Sequence, residues 1–185
     1  HVYHLVSVNG TRLFYEIPHV VLRVGMLSAI FALEWFRDVN QQKGAKILYT
    51  SSNEAYGGAL EAFGVLPIPT PEDVPLVIPD PYNPRWSYGG QKLVGELLFI
   101  YFAKAYDLRM SIVRPHNFYG PRAGFDHVIP SVLEKIKEKK DPFPIPGAEQ
   151  TRAFCYIDDA VDALARVMES KVTDGKTYHI GTSVE

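Results

Sequence analysis

Four short apolar runs punctuate the chain, at residues 2–6, Lys46–Thr50, 110–114 and Thr177–Ile180. Each is nearly continuous rather than alternating, the pattern of a strand covered by helices on both faces, so a parallel sheet is predicted. The first run should lie beside Lys46–Thr50, with residues 110–114 on that strand's far side. Three stretches with helical spacing accompany the strands. The first, about residues 20–42, is apolar on nearly every side around Met26, Ile30, Leu33 and Phe36, and should be largely buried. The second, Ser87–Tyr106, sets Leu93, Leu97 and Tyr101 on one stripe, with Val94, Leu98 and Phe102 beside it. The last begins near Asp158, a favourable N-cap residue, and presents Val161, Leu164 and Met168 inward. Strands alternating with helices define an α/β layer architecture.

Residues 65–86 break this rhythm. They hold Pro67, Pro69, Pro71, Pro75, Pro79, Pro81 and Pro84, half of the 14 prolines, which forbids a regular helix or a central strand. A rigid surface excursion is expected, either a plain connection or a binding segment.

The 185 residues suit a single domain, and 46% hydrophobic with 22% charged residues is the composition of a globular chain. The net charge of -2 and the lack of a basic stretch beyond Lys135, Lys137, Lys139 and Lys140 argue against nucleic acid as a partner. That cluster reads as the solvated end of a helix. The single cysteine excludes an intrachain disulfide, and no Cys/His spacing suits a metal, so none is expected. The longest apolar stretch, residues 20–36, is interrupted by Arg23 and Glu34, and no leader pattern opens the chain. No membrane is expected, and a cytoplasmic location is the default.

Candidate chemistry gathers at the ends of the strands. Tyr88 and Lys92 stand four residues apart at a helix start, hence on one face, where a cation favours phenolate and draws the phenol toward the working pH. The pair alone is weak, since a snorkelling lysine beside a half-buried tyrosine looks the same. After the second strand comes Thr50-Ser51-Ser52-Asn53-Glu54-Ala55-Tyr56-Gly57, which delivers two hydroxyls and a carboxylate to the carboxyl end of a parallel sheet. Taken alone, this is also an ordinary turn composition. Arg114-Pro115-His116-Asn117-Phe118-Tyr119-Gly120-Pro121-Arg122 repeats the arrangement after the third strand. Thr151-Arg152-Ala153-Phe154-Cys155-Tyr156-Ile157-Asp158-Asp159 adds an arginine suited to a phosphate.

These four blocks, in this order over residues 46–170, resemble the extended short-chain dehydrogenase/reductase family, in its NAD-dependent sugar-nucleotide epimerase/dehydratase branch. The opening VYHLVSVNG also looks like the family's fourth strand. The resemblance implies a partial Rossmann-type doubly wound sheet plus part of a small substrate-binding portion. It makes Tyr88 the catalytic acid/base, Lys92 its electrostatic partner and ribose contact, and Ser52 the hydroxyl that orients the reacting oxygen, with Ser51 as the fallback. Pro115 and His116 would meet the nicotinamide. Asn117, Arg122 and Arg152 would meet a nucleotide-sugar substrate. Glu54 stands where members that eliminate water or lose carbon dioxide carry a glutamate, whereas Asn53 replaces the aspartic acid of many dehydratases. Arg23 aligns with a family asparagine that relays protons. Dehydration, decarboxylation and epimerisation remain open at this point.

The family begins with a strand, a glycine-rich turn and a helix whose N-terminus receives the cofactor's pyrophosphate. No such segment occurs in these 185 residues. The first half of the dinucleotide sheet is therefore expected to be missing, together with the residue that chooses between NAD and NADP. An open sheet edge would favour a homodimer or other self-association. The chain by itself is expected to be inactive. The alternative is a non-catalytic sugar-nucleotide-binding or scaffold module of the same fold.

Overall fold

A computed structural model describes residues 1–40, 44–144, 147 and 151–183. Its centre is a parallel four-stranded sheet in the order β1-β2-β3-β6, formed by Val2–His4, Lys46–Thr50, Arg109–Pro115 and Thr177–Ile180. The register pairs Tyr3 with Leu48, Leu48 with Ser111, and Val113 with Tyr178. The expected strand order is thus observed, with β1 at an edge, although β1 ends at His4 rather than Val6. A separate parallel pair joins β4 (Asn117–Tyr119) to β5 (Phe154–Tyr156).

The helices are α1 (Thr11–Glu16), α2 (Pro18–Val39), α3 (Glu54–Phe63), α4 (Ser87–Tyr106), α5 (Val128–Lys137) and α6 (Ile157–Glu169). One core cluster joins Ala29, Leu33 and Phe36 of α2 and Phe99 of α4 to Ile47, Tyr49, Met110 and Ile112 of the sheet. The other face of the sheet lies under α6, where Leu48 and Val113 meet Ala160 and Met168. Burying each such large side chain contributes about 1.5–3 kcal/mol. Lys46 is charged yet fully buried at the start of β2. Its ammonium reaches the Val167 and Ser170 carbonyls, the Thr173 hydroxyl and Asp174, so the charge is matched where it lies. At the crossing of α4 over β2, a Cβ on Gly95 would stand 2.0 Å from the Tyr49 hydroxyl, so only glycine allows this approach.

Three expectations need correction. Helix α2 is apolar on nearly every side but is not largely buried. Val21, Gly25, Ala29, Leu33 and Phe36 face inward, while Phe31 and Trp35 are 61% and 53% exposed. By length and mean hydropathy, 1.5, α2 could cross a membrane. Its inward stripe nevertheless packs on α4 and the sheet, and Arg23, Glu34, Arg37 and Asp38 punctuate the rest. The expected end at Gln42 lies outside the described residues. In α6 the N-cap is Tyr156, with Asp158 and Asp159 inside the first turn, and Val161 points to solvent. Ala160 takes the inward position instead, against Leu48 and Val113 of the sheet. On α4, Leu97 and Tyr101 likewise lie on the outer side.

The proline-rich excursion contains no regular element except a single 3-10 turn at Pro84–Trp86. It is tied down by contacts to the sheet ends and crosses α3 so closely that a Cβ on Gly58 would meet the Val77 carbonyl at 2.3 Å. The lysines around residues 135–140 sit at the exposed end of α5, as the composition suggested.

Candidate active site

Parallel strands β2 and β3 end side by side, so the polar blocks that follow them are delivered to one place. The Ser51 N–H donates to the Val113 carbonyl at 2.8 Å, and the Asn53 N–H to the Pro115 carbonyl at 3.2 Å. Helix α4 starts above these strand ends and presents Tyr88 and Lys92 to them, both buried. The Ser52 and Ser7 hydroxyls are neighbours of the Tyr88 phenol that favour its ionised form. The Lys92 ammonium lies 5.5 Å from the centre of the Tyr88 ring. Ser52, Tyr88 and Lys92 therefore lie together at the strand ends, with Tyr88 and Lys92 on one face of α4. Ser7 comes from the loop after β1, where it also accepts a hydrogen bond from Gln91 at 2.9 Å.

The electrostatics differ from the expectation. Burial pushes the Tyr88 phenol up to about 12, against the downward pull of the Ser52 and Ser7 hydrogen bonds. Lys92 is itself pushed down to about 8 by burial, with Glu96 pulling the other way. The ammonium donates to the Thr50 carbonyl at 2.7 Å rather than to the phenol. Desolvation therefore dominates, and the phenol of the free chain stays protonated at neutral pH. Nor is Tyr88 at the floor of an open cleft. The Phe14 ring of α1 stacks on it at 4.8 Å, and Arg85 of the excursion reaches the neighbouring Glu54. A surface hollow bordered by Pro18, Leu22, Ile78 and Ser87 does not include it.

Ser51 is buried, with its hydroxyl donating to Glu96, which leaves Ser52 as the hydroxyl at the phenol. Glu54 opens α3 and holds the guanidinium of Arg85, with both carboxylate oxygens 2.7 Å from one nitrogen. His116 lies just past β3, and its Nε2 meets the Tyr56 hydroxyl at 3.0 Å. Burial lowers its pKa, which favours the neutral imidazole. Asn117 opens β4 and donates from its side-chain amide to the Ala153 carbonyl at 3.1 Å. Because Asn117 pairs with Phe154, Arg152 lies at the same end of the β4–β5 ladder. Arg122 follows the opposite end, on an exposed turn with φ +68°, and does not join them.

Sequence reasoning assigned no role to Arg85, Glu96, Arg114 or Ser7. Two of these carried a signal. Glu96 lies one helical turn beyond Lys92, and Arg114 is a charge inside an otherwise apolar strand, which implies a buried partner.

Residues 1–181 match the NAD dependent epimerase/dehydratase family. The chain belongs to the NAD-dependent epimerase/dehydratase family. Among curated members, it is 30% identical over 176 residues to UDP-glucuronic acid decarboxylase 3 of Arabidopsis thaliana, covering 93% of this chain and 48% of that protein. It is also 30% identical over 143 residues to UDP-glucose 4-epimerase of Mycolicibacterium smegmatis, covering 76% and 42%. Among solved family structures, UDP-glucose 4-epimerase of Thermotoga maritima with UDP-glucose superposes with a TM-score of 0.81 and 26% identity, over 99% of this chain and 55% of that one. UDP-glucuronic acid 4-epimerase of Bacillus cereus, in complex with UDP-glucuronic acid and NAD, gives 0.80 and 27%, over 97% and 53%. The chain thus spans about half the length of the family members it matches. The α/β fold with its parallel sheet is that of these Rossmann-type structures.

The family uses NAD. The site's donors fit one end of that cofactor. Lys92 is a buried ammonium with only one of its three donors on the Thr50 carbonyl, and Tyr88 offers a phenol beside it, a set suited to a ribose diol. The pyrophosphate end finds no glycine-rich turn at a helix N-terminus in this sequence.

Proposed function

We propose that this chain carries the catalytic half of an enzyme that converts a nucleotide sugar by transient oxidation of a ring hydroxyl. The observation that supports it most is the meeting of Ser52, Tyr88 and Lys92 on one face of α4 over the strand ends. When bound, NAD supplies the hydride acceptor. Ser52 orients the sugar hydroxyl, and Tyr88 takes its proton. Lys92 provides the positive charge that favours the phenolate Tyr88 must become, opposing the effect of burial. Asn117 and Arg152, together at one end of the β4–β5 ladder, are the residues for the nucleotide diphosphate side.

Glu54 serves the step that follows oxidation. Its carboxylate is held and oriented by Arg85, ready to assist loss of water or carbon dioxide, or to steer the keto-sugar before the hydride returns. Self-association belongs to the same reading, and its support lies less in the edge of β1 than in the exposed Phe31, Trp35 and Val39 of α2 and Leu97 and Tyr101 of α4.

Because no glycine-rich cradle lies in the sequence, the 185-residue chain should bind NAD(H) with a Kd weaker than about 1 mM, under roughly 4 kcal/mol of binding free energy. It should show no turnover on its own. Calorimetry of the chain with NAD(H), then with UDP-, GDP- and dTDP-sugars, measures both halves of the reading. Saturable heat with a nucleotide sugar and none with NAD(H) is expected. Tight NAD(H) binding would overturn the division of labour, and indifference to every nucleotide sugar would remove the role given to Asn117 and Arg152.

A further inference from the structure

A second aromatic ring, to which the reaction gives no task, meets the Lys92 ammonium. Tyr49 lies in β2, 1% exposed, directly before the Thr50 whose carbonyl accepts from Lys92 at 2.7 Å. The ammonium stands 5.3 Å from the centre of the Tyr49 ring and 5.5 Å from that of Tyr88, so both rings lie within cation–π range. Tyr49 is fixed in turn. Its ring stacks on Phe99 of α4 at 4.5 Å, and its hydroxyl enters the space that Gly95 leaves on the same helix. That hydroxyl is buried and has no hydrogen-bond partner among the described residues. Burial raises its pKa above the ordinary phenol range, so Tyr49 presents a neutral ring to the cation and not a negative oxygen.

We infer that Tyr49 is a positioning residue for Lys92, its ring face holding the ammonium beside Tyr88 while the Thr50 carbonyl takes one donor. The inference rests on the catalytic reading of Lys92, but its test does not need turnover. A buried ammonium needs compensation, and the carboxylates of the site are engaged elsewhere, Glu54 by Arg85 and Glu96 by Arg114. The negative face of an aromatic ring attracts a cation without being an anion. It therefore leaves the charge of Lys92 available to the phenolate that Tyr88 must become, where a carboxylate partner would cancel it. The Tyr49 hydroxyl makes no bond, so the role falls to the ring. A residue that merely filled the core would be replaced equally well by any ring of the same shape.

The experiment is an NMR titration of the Lys92 ε-carbon in the 185-residue chain, in Tyr49→Phe, and in the same variant with one, two and three fluorines on the introduced ring. Tyr49→Phe keeps the face and removes only the unpartnered hydroxyl, so the Lys92 midpoint should stay within about 0.3 pH unit. Fluorine withdraws electrons from the face with little change of shape. The midpoint should therefore fall stepwise along the series, by about one pH unit at three fluorines, because losing the attraction disfavours the charged form. Packing is nearly constant through the series, and circular dichroism verifies that each variant is folded. A stepwise fall supports the inference. A midpoint that ignores the fluorines would overturn it and leave the roles of Tyr88 and Lys92 untouched, since those are read from turnover of a completed chain and not from this titration.

Discussion

Tyr88→Phe, introduced into the chain completed with a glycine-rich N-terminal half from a family member, should lower turnover of a nucleotide sugar by about 10²- to 10⁴-fold. The substitution removes one oxygen and little else. The ring keeps its stacking on Phe14 at 4.8 Å and its place at the start of α4, so folding and cofactor capture should survive. The lost oxygen has the Ser52 and Ser7 hydroxyls as neighbours, and in the proposed reaction it is the proton acceptor of the oxidation step. Affinity for the nucleotide sugar, which the reading places on Asn117 and Arg152, should change little, so the loss should fall on kcat. A variant with unaltered kcat would remove Tyr88 from the mechanism.

The second large effect concerns stability. Arg114→Ala removes the guanidinium that meets both Glu96 carboxylate oxygens at 2.8 Å and leaves that carboxylate, 2% exposed, with only the Ser51 hydroxyl to receive it. Breaking such a pair from one side costs about 3–5 kcal/mol. In a chain of this size that should lower the thermal midpoint by roughly 6–20 °C. The comparison is Arg166→Ala, which removes an exposed pair with Asp162 whose side chains are 79% and 62% accessible. That pair is screened by water and salt, so the midpoint should hardly move. Thermal unfolding followed by circular dichroism separates the two cases. Equal midpoints for the two variants would show that the buried fork contributes no more than a surface pair.

What could be read in the sequence, and what could not, follows from the physics of each element. The sheet was legible because strands buried on both faces must be continuously apolar, as ILY in β2 and MSIV in β3 are. The nearness of Tyr88 and Lys92 was legible because a fixed spacing on a helix start places them on one face, whereas Ser52 came only with the family resemblance. Strands β4 and β5, three residues each, are too short to show a period. Helix α3 was hidden behind Gly57 and Gly58, which read as a turn; Gly58 is required by the Val77 carbonyl, a contact from a distant segment. The outer face of α2 misled because apolarity all round predicts burial, yet the sheet covers only one side. The Tyr88 pKa misled for a related reason. Spacing reports which charge is near, whereas burial, which here raises the phenol, is a property of the assembled layers. Glu96 and Arg114 joined only once β3 lay beneath α4.

The account centres on this chain supplying the groups that oxidise and rebuild a sugar while it is still attached to its nucleotide. The most direct measurement is NMR analysis of UDP-glucuronate, UDP-glucose and dTDP-glucose after incubation with the completed chain, with NAD binding verified beforehand. The predicted result is a changed sugar ring on an intact nucleotide from at least one of them. Full NAD occupancy with all three sugars returned unchanged would contradict it.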